Sequence, residues 1–226
     1  MQIIFISGLM STPLIWGELN QLRQKYYCID ADTQSSNSIE AMSMRLLQSI
    51  SSDEVVLIGI SMGGYVAIDA ALKSNAVKKL VLINTTAKPV NPKTIPDREK
   101  AIEFASQGMM ESIMTMSEGV CFHKKKKEWL LIEKNMAKDV GLQAYIRQQQ
   151  AIIRRQDYSS LISLIESDTL IISGKNDQVI PFQESIDMFT KIPRSNLMIF
   201  NDCGHLSTIE QGPRVAHVVD DFLEQS

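Results

Sequence analysis

The residues best placed to do chemistry lie in Gly59-Ile60-Ser61-Met62-Gly63-Gly64, which closes the apolar run Val55–Ile60 and opens an alanine-rich stretch, Tyr65 to Lys73. A strand that turns sharply into a helix at this point forces Ser61 into a strained backbone conformation. Gly59 and Gly63 leave room for neighbouring backbone that a side chain would block. The hydroxyl is then presented above the strand ends. The free N–H groups of the helix start, Met62's first, point to where an attacked carbonyl oxygen would become an oxyanion. A glycine turn holding a serine also arises by chance, so the motif carries weight only if a base and an acid can reach it.

A serine hydroxyl needs a base within hydrogen-bond reach, and the base needs an orienting carboxylate. The chain has three histidines. His217 falls inside the last helical pattern, where packing or a surface position is expected, and His123 sits beside the lysine run Lys124 to Lys127, itself expected to be a solvated helix face. His205 follows the final strand pattern in Asp202-Cys203-Gly204-His205 and so emerges at the same strand edge as Ser61, the edge that binds ligands in open parallel sheets. For the acid, Asp177 follows Leu170–Gly174 at that edge, whereas Asp168 lies at the wrong end of the run. Asp202 is the rival, on the histidine's own loop. Cys203 is expected to be a small filler of that loop.

These residues need a scaffold. Short apolar runs at Ile3–Ser7, Tyr27–Asp30, Val55–Ile60, Leu80–Asn84, Leu170–Gly174 and Asn196–Phe200 predict about six strands buried on both faces, the mark of a mostly parallel sheet. Helical patterns alternate with them at Leu14–Gln24, Ile39–Ile50, Met62–Lys73, Phe182–Ile192 and Val215–Glu224, which makes the fold class α/β. The alternation breaks after Asn84. The stretch before the next strand is too long for a loop and carries four further helical patterns, about Arg98–Ala105, Met109–Ser117, Lys125–Met136 and Leu142–Arg155, punctuated by Gly108, Gly119 and Gly141. The expected organisation is a core of residues 1–87 and 157–226, with residues 88–156 inserted as a helical cap.

Composition narrows the function classes. With 226 residues, 44% hydrophobic and 22% charged, the chain is long enough for one packed domain plus an insertion. A net charge of −3 provides no basic field for nucleic acid or anionic membrane. Cys28, Cys121 and Cys203 match neither a disulfide framework nor a zinc site. With no basic leader and no apolar segment near the ~20 residues of a membrane span, the reading is a cytoplasmic protein acting on a small molecule, without metal or organic cofactor.

Taken together these motifs resemble the α/β-hydrolase superfamily, in particular the small cap-bearing esterase, enol-lactonase and lyase group whose serine turn reads GxSMGG. Ile3-Ile4-Phe5-Ile6-Ser7-Gly8 resembles the first core strand and its oxyanion glycine, and Leu80–Asn84 the strand before the cap. Leu170–Gly174 with Asp177 and Pro181 resembles the acid strand, and Gly204 to Gln211 the histidine loop. The resemblance implies an α/β-hydrolase fold, a second oxyanion donor in the backbone N–H of Leu9, and Ser61, Asp177 and His205 as the catalytic set. Two departures stand out: Ser7 replaces a histidine that is frequent before the glycine, and the Asp30–Ile39 segment is short.

The expected activity is hydrolysis of a small apolar ester, thioester or lactone through an acyl-enzyme. A lyase or acyltransferase on the same constellation, or a hydrolase-fold receptor that binds without turnover, remain the alternatives. Met109, Met110, Met114 and Met116 cluster in the cap; flexible thioethers make adaptable apolar walls, so they are candidate substrate-binding residues, the competing reading being that they glue the cap helices together.

Overall fold

In the computed structural model, which describes residues 1–117 and 119–225 apart from the side chains of Met116 and Ser117, the apolar runs build one parallel sheet. The strands are β1 (Gln2–Ile6), β2 (Tyr27–Asp30), β3 (Val55–Ile60), β4 (Val77–Ile83), β5 (Asp168–Gly174) and β6 (Ser195–Phe200), ordered β2-β1-β3-β4-β5-β6 with all neighbours parallel. The chain leaves β1 towards one edge and leaves β3 towards the other. The ends of β1 and β3 therefore border the crevice where such sheets bind ligands.

Side chains alternate between two cores, as the strand period of two requires. Ile4, Ile6, Leu57, Leu80 and Leu82 pack against α1 (Ile39–Gln48), α2 (Met62–Lys73) and α6 (Gln183–Phe189). Ile3, Phe5, Ile58, Val81 and Ile83 pack against Pro13–Gln24, α7 (Ser207–Glu210) and α8 (Gly212–Glu224). Both faces are dry, which is why the strands read as continuous apolar runs.

Two elements differ from expectation for local reasons. β4 begins at Val77 rather than Leu80, because Lys78 and Lys79 interrupt the apolar run; Lys79 lies alongside α8, its Nζ donating to the carbonyls of Phe222 and Leu223 at 2.9 and 3.0 Å. Pro13–Gln24 forms tight 3₁₀ turns broken at Gly17, whose φ of 48° no ordinary side chain adopts readily.

The chain between β4 and β5 carries α3 (Ile95–Ser106), α4 (Met110–Ser117) and α5 (Lys127–Arg154). At Gly141 the backbone turns to φ 73° and ψ 166° within α5, dividing it where the sequence separates two helical patterns. No helix among the described residues is long and apolar enough to cross a membrane.

Candidate active site

Backbone strain collects at one edge of the sheet. Among the described residues four non-glycine ones have positive φ: Met10 after β1, Ser61 after β3, Asn84 after β4 and Asp202 after β6. Each follows the C-terminal end of a strand, and such conformations cost about 1–3 kcal/mol apiece, persisting only where surroundings over-determine them. At Ser61 the surroundings are plain. Its N–H donates to the Ile83 carbonyl at 2.9 Å, and its own carbonyl accepts from Gly64 N–H at 2.9 Å and Thr85 Oγ1 at 2.8 Å. A side chain at Gly63 would place its Cβ 1.8 Å from the Ile6 carbonyl oxygen, and one at Gly59 would come within 2.6 Å of the Gly63 carbonyl. The serine turn and the end of β1 touch through backbone alone, and only glycine permits that.

Around Ser61 the structure assembles a hydrogen-bonded line. Ser61 Oγ lies 2.9 Å from His205 Nε2, and His205 Nδ1 lies 2.7 Å from Asp177 Oδ2. Asp177 Oδ2 also accepts from Asn84 Nδ2 at 3.0 Å, and Oδ1 accepts the N–H groups of Val179 and Ile180 at 2.8 and 2.9 Å. Burial alone would raise this carboxyl's pKa; the facing His205, by charge and hydrogen bond, together with the Ile180 N–H and Asn84, outweighs it and holds the group below the usual carboxylate range. An ionised Asp177 can only accept, so His205 Nδ1 carries the proton. In the neutral ring Nε2 is then the acceptor for the Ser61 O–H.

The other sequence candidates lie elsewhere. Asp202 is 74% exposed at its side chain and faces His123 Nε2 at 3.7 Å. Asp168 pairs with Arg194 at the opposite edge, and the exposed His217 faces Asp221. Cys203 is fully buried, and burial pushes its thiol up to about 12, which leaves almost no thiolate at neutral pH. Ser7 is buried and takes no part in the cavity wall.

Ser61 and His205 open into a cavity of about 570 Å³, whose wall includes Leu9, Tyr65, Val90, Met136 and Ile152. Leu9 follows Gly8, where a Cβ would come 3.2 Å from Ser61 Cβ, so this turn packs directly on the serine. Neither the Leu9 nor the Met62 N–H donates to a protein acceptor among the described residues. Met109 and the methionines of α4 are placed differently from expectation: Met109 is 39% exposed, Met110 and Met114 are half-buried, and none of the three is part of the cavity wall. The reason is packing. The helix turns Ile113 inward into a small cluster with Ala101, Ala105 and Tyr145, against which the wall residues Leu9 and Met10 pack. The side chain of Met116 lies outside the described residues. The short Asp30–Ile39 segment is covered by α5, with Arg147 Nε donating to the Gln34 carbonyl at 2.7 Å and Gln148 Nε2 to that of Thr33 at 3.1 Å.

Two supporting residues escaped the sequence reading. Asn84 is fully buried and joins three parts of the site, donating to Asp177 Oδ2 and the Gly204 carbonyl and accepting from Ser207 Oγ at 2.6 Å. A polar residue closing the apolar run Leu80–Ile83 at the chemical edge was its one visible signal. Glu210 accepts the Gly204 N–H at 2.6 Å and the His123 N–H at 3.1 Å, while the N–H groups of His205 and Leu206 donate to the Cys121 carbonyl at 2.8 and 3.1 Å. The histidine loop is thereby clamped to the segment before α5. No local pattern announces a contact across such a sequence separation.

Comparison with known proteins sets this geometry in a wider group. A family model described as the alpha/beta hydrolase fold matches residues 29–211. A 2-hydroxymuconate semialdehyde hydrolase from Pseudomonas sp. (strain CF600) is 23% identical over 200 residues, which cover 80% of this chain and 66% of that protein. The chain thus spans just under two thirds of that relative's length. Among solved structures, a thermophilic esterase from Thermogutta terrifontis with malate bound superposes with a TM-score of 0.85 at 23% identity, covering 99% of this chain and 89% of that one. The enol-lactonase from Burkholderia xenovorans LB400 gives 0.86 at 18% identity, covering 99% and 91%.

Proposed function

Because this chain belongs to the alpha/beta hydrolase fold family, we propose that it is a serine hydrolase that cleaves a small-molecule ester, thioester or lactone by acyl transfer through Ser61. The observation that carries this reading is the unbroken line from Asp177 through His205 to Ser61, with contacts of 2.7 and 2.9 Å. Ser61 Oγ attacks the substrate carbonyl as His205 Nε2 takes its proton, and Asp177 stabilises the imidazolium that forms. The N–H groups of Leu9 and Met62, unengaged among the described residues, receive the negative charge that develops on the carbonyl oxygen. His205 passes its proton to the departing alcohol, thiol or enol. Water then gives a proton to His205 and attacks the acyl-serine, releasing the acid and restoring the Ser61 hydroxyl. Residues 88–156 serve in this reading as a lid, since Val90, Met136 and Ile152 form part of the cavity wall.

A second reading is favoured by the semialdehyde hydrolase among the relatives: the same residues would cut a carbon–carbon bond beside a ketone, with the leaving carbanion protonated in place of an alkoxide. A panel of p-nitrophenyl esters of rising chain length, acyl-CoA thioesters, small lactones and a vinylogous 1,5-diketone separates the two. Saturable hydrolysis of an ester, thioester or lactone is expected. Turnover of the diketone alone would transfer the case to carbon–carbon cleavage, and turnover of none would overturn the reading.

A further inference from the structure

Two guanidinium groups, those of Arg98 and Arg155, stand in the wall of the cavity that contains Ser61. Arg23, Arg45 and Arg194, on the surface, each hold an aspartate; among the described residues no carboxylate forms an ion pair with Arg98 or Arg155. Arg155 is 8% exposed and fixed by its own hydrogen bonds, with Nε, Nη1 and Nη2 donating to the carbonyls of Lys88, Ile152 and Pro89 at 3.0, 3.1 and 3.0 Å. Its guanidinium carbon lies 4.3 Å from the ring centre of Tyr65. Arg98, from α3, donates from Nη1 to Gln149 Oε1 at 2.7 Å, while its Nε is buried without any partner and its Nη2 donates to no acceptor among the described residues. Nε is closed off by its surroundings, so Nη2 is the nitrogen that Arg98 leaves open to an anion.

A cation drawn out of water without a counter-charge is costly, and here Arg155 is buried and Arg98 half-buried, each repelling the other. Burial pulls the Arg98 guanidinium below its ordinary value, and the charge of Arg155 pulls it in the same direction. The cavity lies beside the chemistry. Tyr65, under Arg155, is one helical turn beyond Ser61 on α2, about 6 Å along the axis. An anion on the substrate would supply the missing counter-charge and fix the reacting carbonyl relative to Ser61 Oγ.

We propose that the Tyr65 end of the cavity is an anion subsite, in which Arg98 Nη2, within the field of Arg155, receives a carboxylate carried by the substrate a few carbons from the carbonyl that Ser61 attacks. The substrate class is then acidic rather than the wholly apolar one that the sequence suggests. The proposal rests on the reading of Ser61 as nucleophile for its orientation, but the anion site can be measured without turnover.

The test compares mono-4-nitrophenyl glutarate with neutral 4-nitrophenyl valerate, and pairs this with calorimetric binding of free glutarate and of inorganic phosphate to Ser61→Ala protein. Arg98→Gln is expected to lower kcat/KM for the glutarate ester about 10- to 100-fold, mainly through KM, as loss of charged hydrogen bonds implies, and to leave the valerate ester within about threefold. Glutarate binding to Ser61→Ala should disappear when Arg98→Gln is added and return in part with Arg98→Lys, which also serves if the glutamine variant does not fold. Equal losses on both esters, glutarate binding indifferent to residue 98, or Arg98-dependent binding of phosphate but not glutarate would each overturn the carboxylate subsite. Failure of the nucleophile reading would look different: turnover would survive Ser61→Ala while the Arg98-dependent binding of glutarate stayed intact.

Discussion

Replacement of Ser61 by alanine is expected to lower kcat by about 10⁴-fold or more on every substrate the protein hydrolyses, because members of a catalytic unit fail together once the nucleophile is gone. The fold should survive. Alanine keeps the Cβ, so the cost of the φ of 54° is unchanged, and the bonds that hold the turn run from the Ser61 backbone to Ile83, Gly64 and Thr85. Only the contact of Oγ with His205 is lost. A melting temperature within a few degrees of the parent, measured beside kcat, separates lost chemistry from lost structure. Cys203 cannot take over, being buried with its thiol pushed up to about 12. Near-normal turnover in a folded Ser61→Ala protein would show that the chemistry lies elsewhere.

Asp177→Asn is expected to cost up to about 10⁴-fold in kcat, the scale on which neutralising the acid of such a unit leaves the histidine in the wrong tautomer. The amide keeps the shape of the carboxylate but can offer its NH₂ where Oδ2 now accepts from His205 and Asn84. Asp202→Asn, altering an exposed group whose nearest basic partner is His123, should leave kcat within about twofold of the parent, the scale of a surface change; a larger loss there than at 177 would reassign the acid. Stability provides a second readout. The Asp177 carboxyl is held below its unfolded value, so its ionised form contributes stability above about pH 4, and that contribution fades as pH falls through the folded value. The gap in melting temperature between the parent and Asp177→Asn should therefore be widest near neutrality and close below about pH 4. A gap that is constant from pH 7 to pH 3 would contradict the electrostatic role given to Asp177.

Much of this molecule could be read from the chain because its strands are buried on both sides. Ile3 to Ile6 and Val55 to Ile60 are nearly inaccessible to solvent, and such runs announce a parallel sheet without knowledge of contacts. The Gly-x-Ser-x-Gly turn is local as well: strand, strain and helix start lie within a few residues, and the glycines are required by the backbone they touch. What escaped depends on distant meetings. Asn84 reaches Asp177 and Ser207, Glu210 catches the backbone of His123, and Arg98 and Arg155 come together at Tyr65 only once α3 and α5 have packed. The methionines of α4 show the same limit from the other side. Composition marks them as apolar and adaptable, but which face of a short helix turns inward is decided by Ile113 and its neighbours on α3 and α5. The lysines at 78 and 79 hid the start of β4 because a long side chain can leave a strand and reach the carbonyls of a neighbouring helix.

The most direct measurement is the intact mass of the folded protein after exposure to a fluorophosphonate, followed by peptide mapping. A serine activated by His205 should displace fluoride and gain one phosphonyl group per chain, located on Ser61, while Ser61→Ala should gain none. A folded protein that gains no mass, or an adduct of equal yield that persists in Ser61→Ala, would contradict the assignment of Ser61 as the nucleophile.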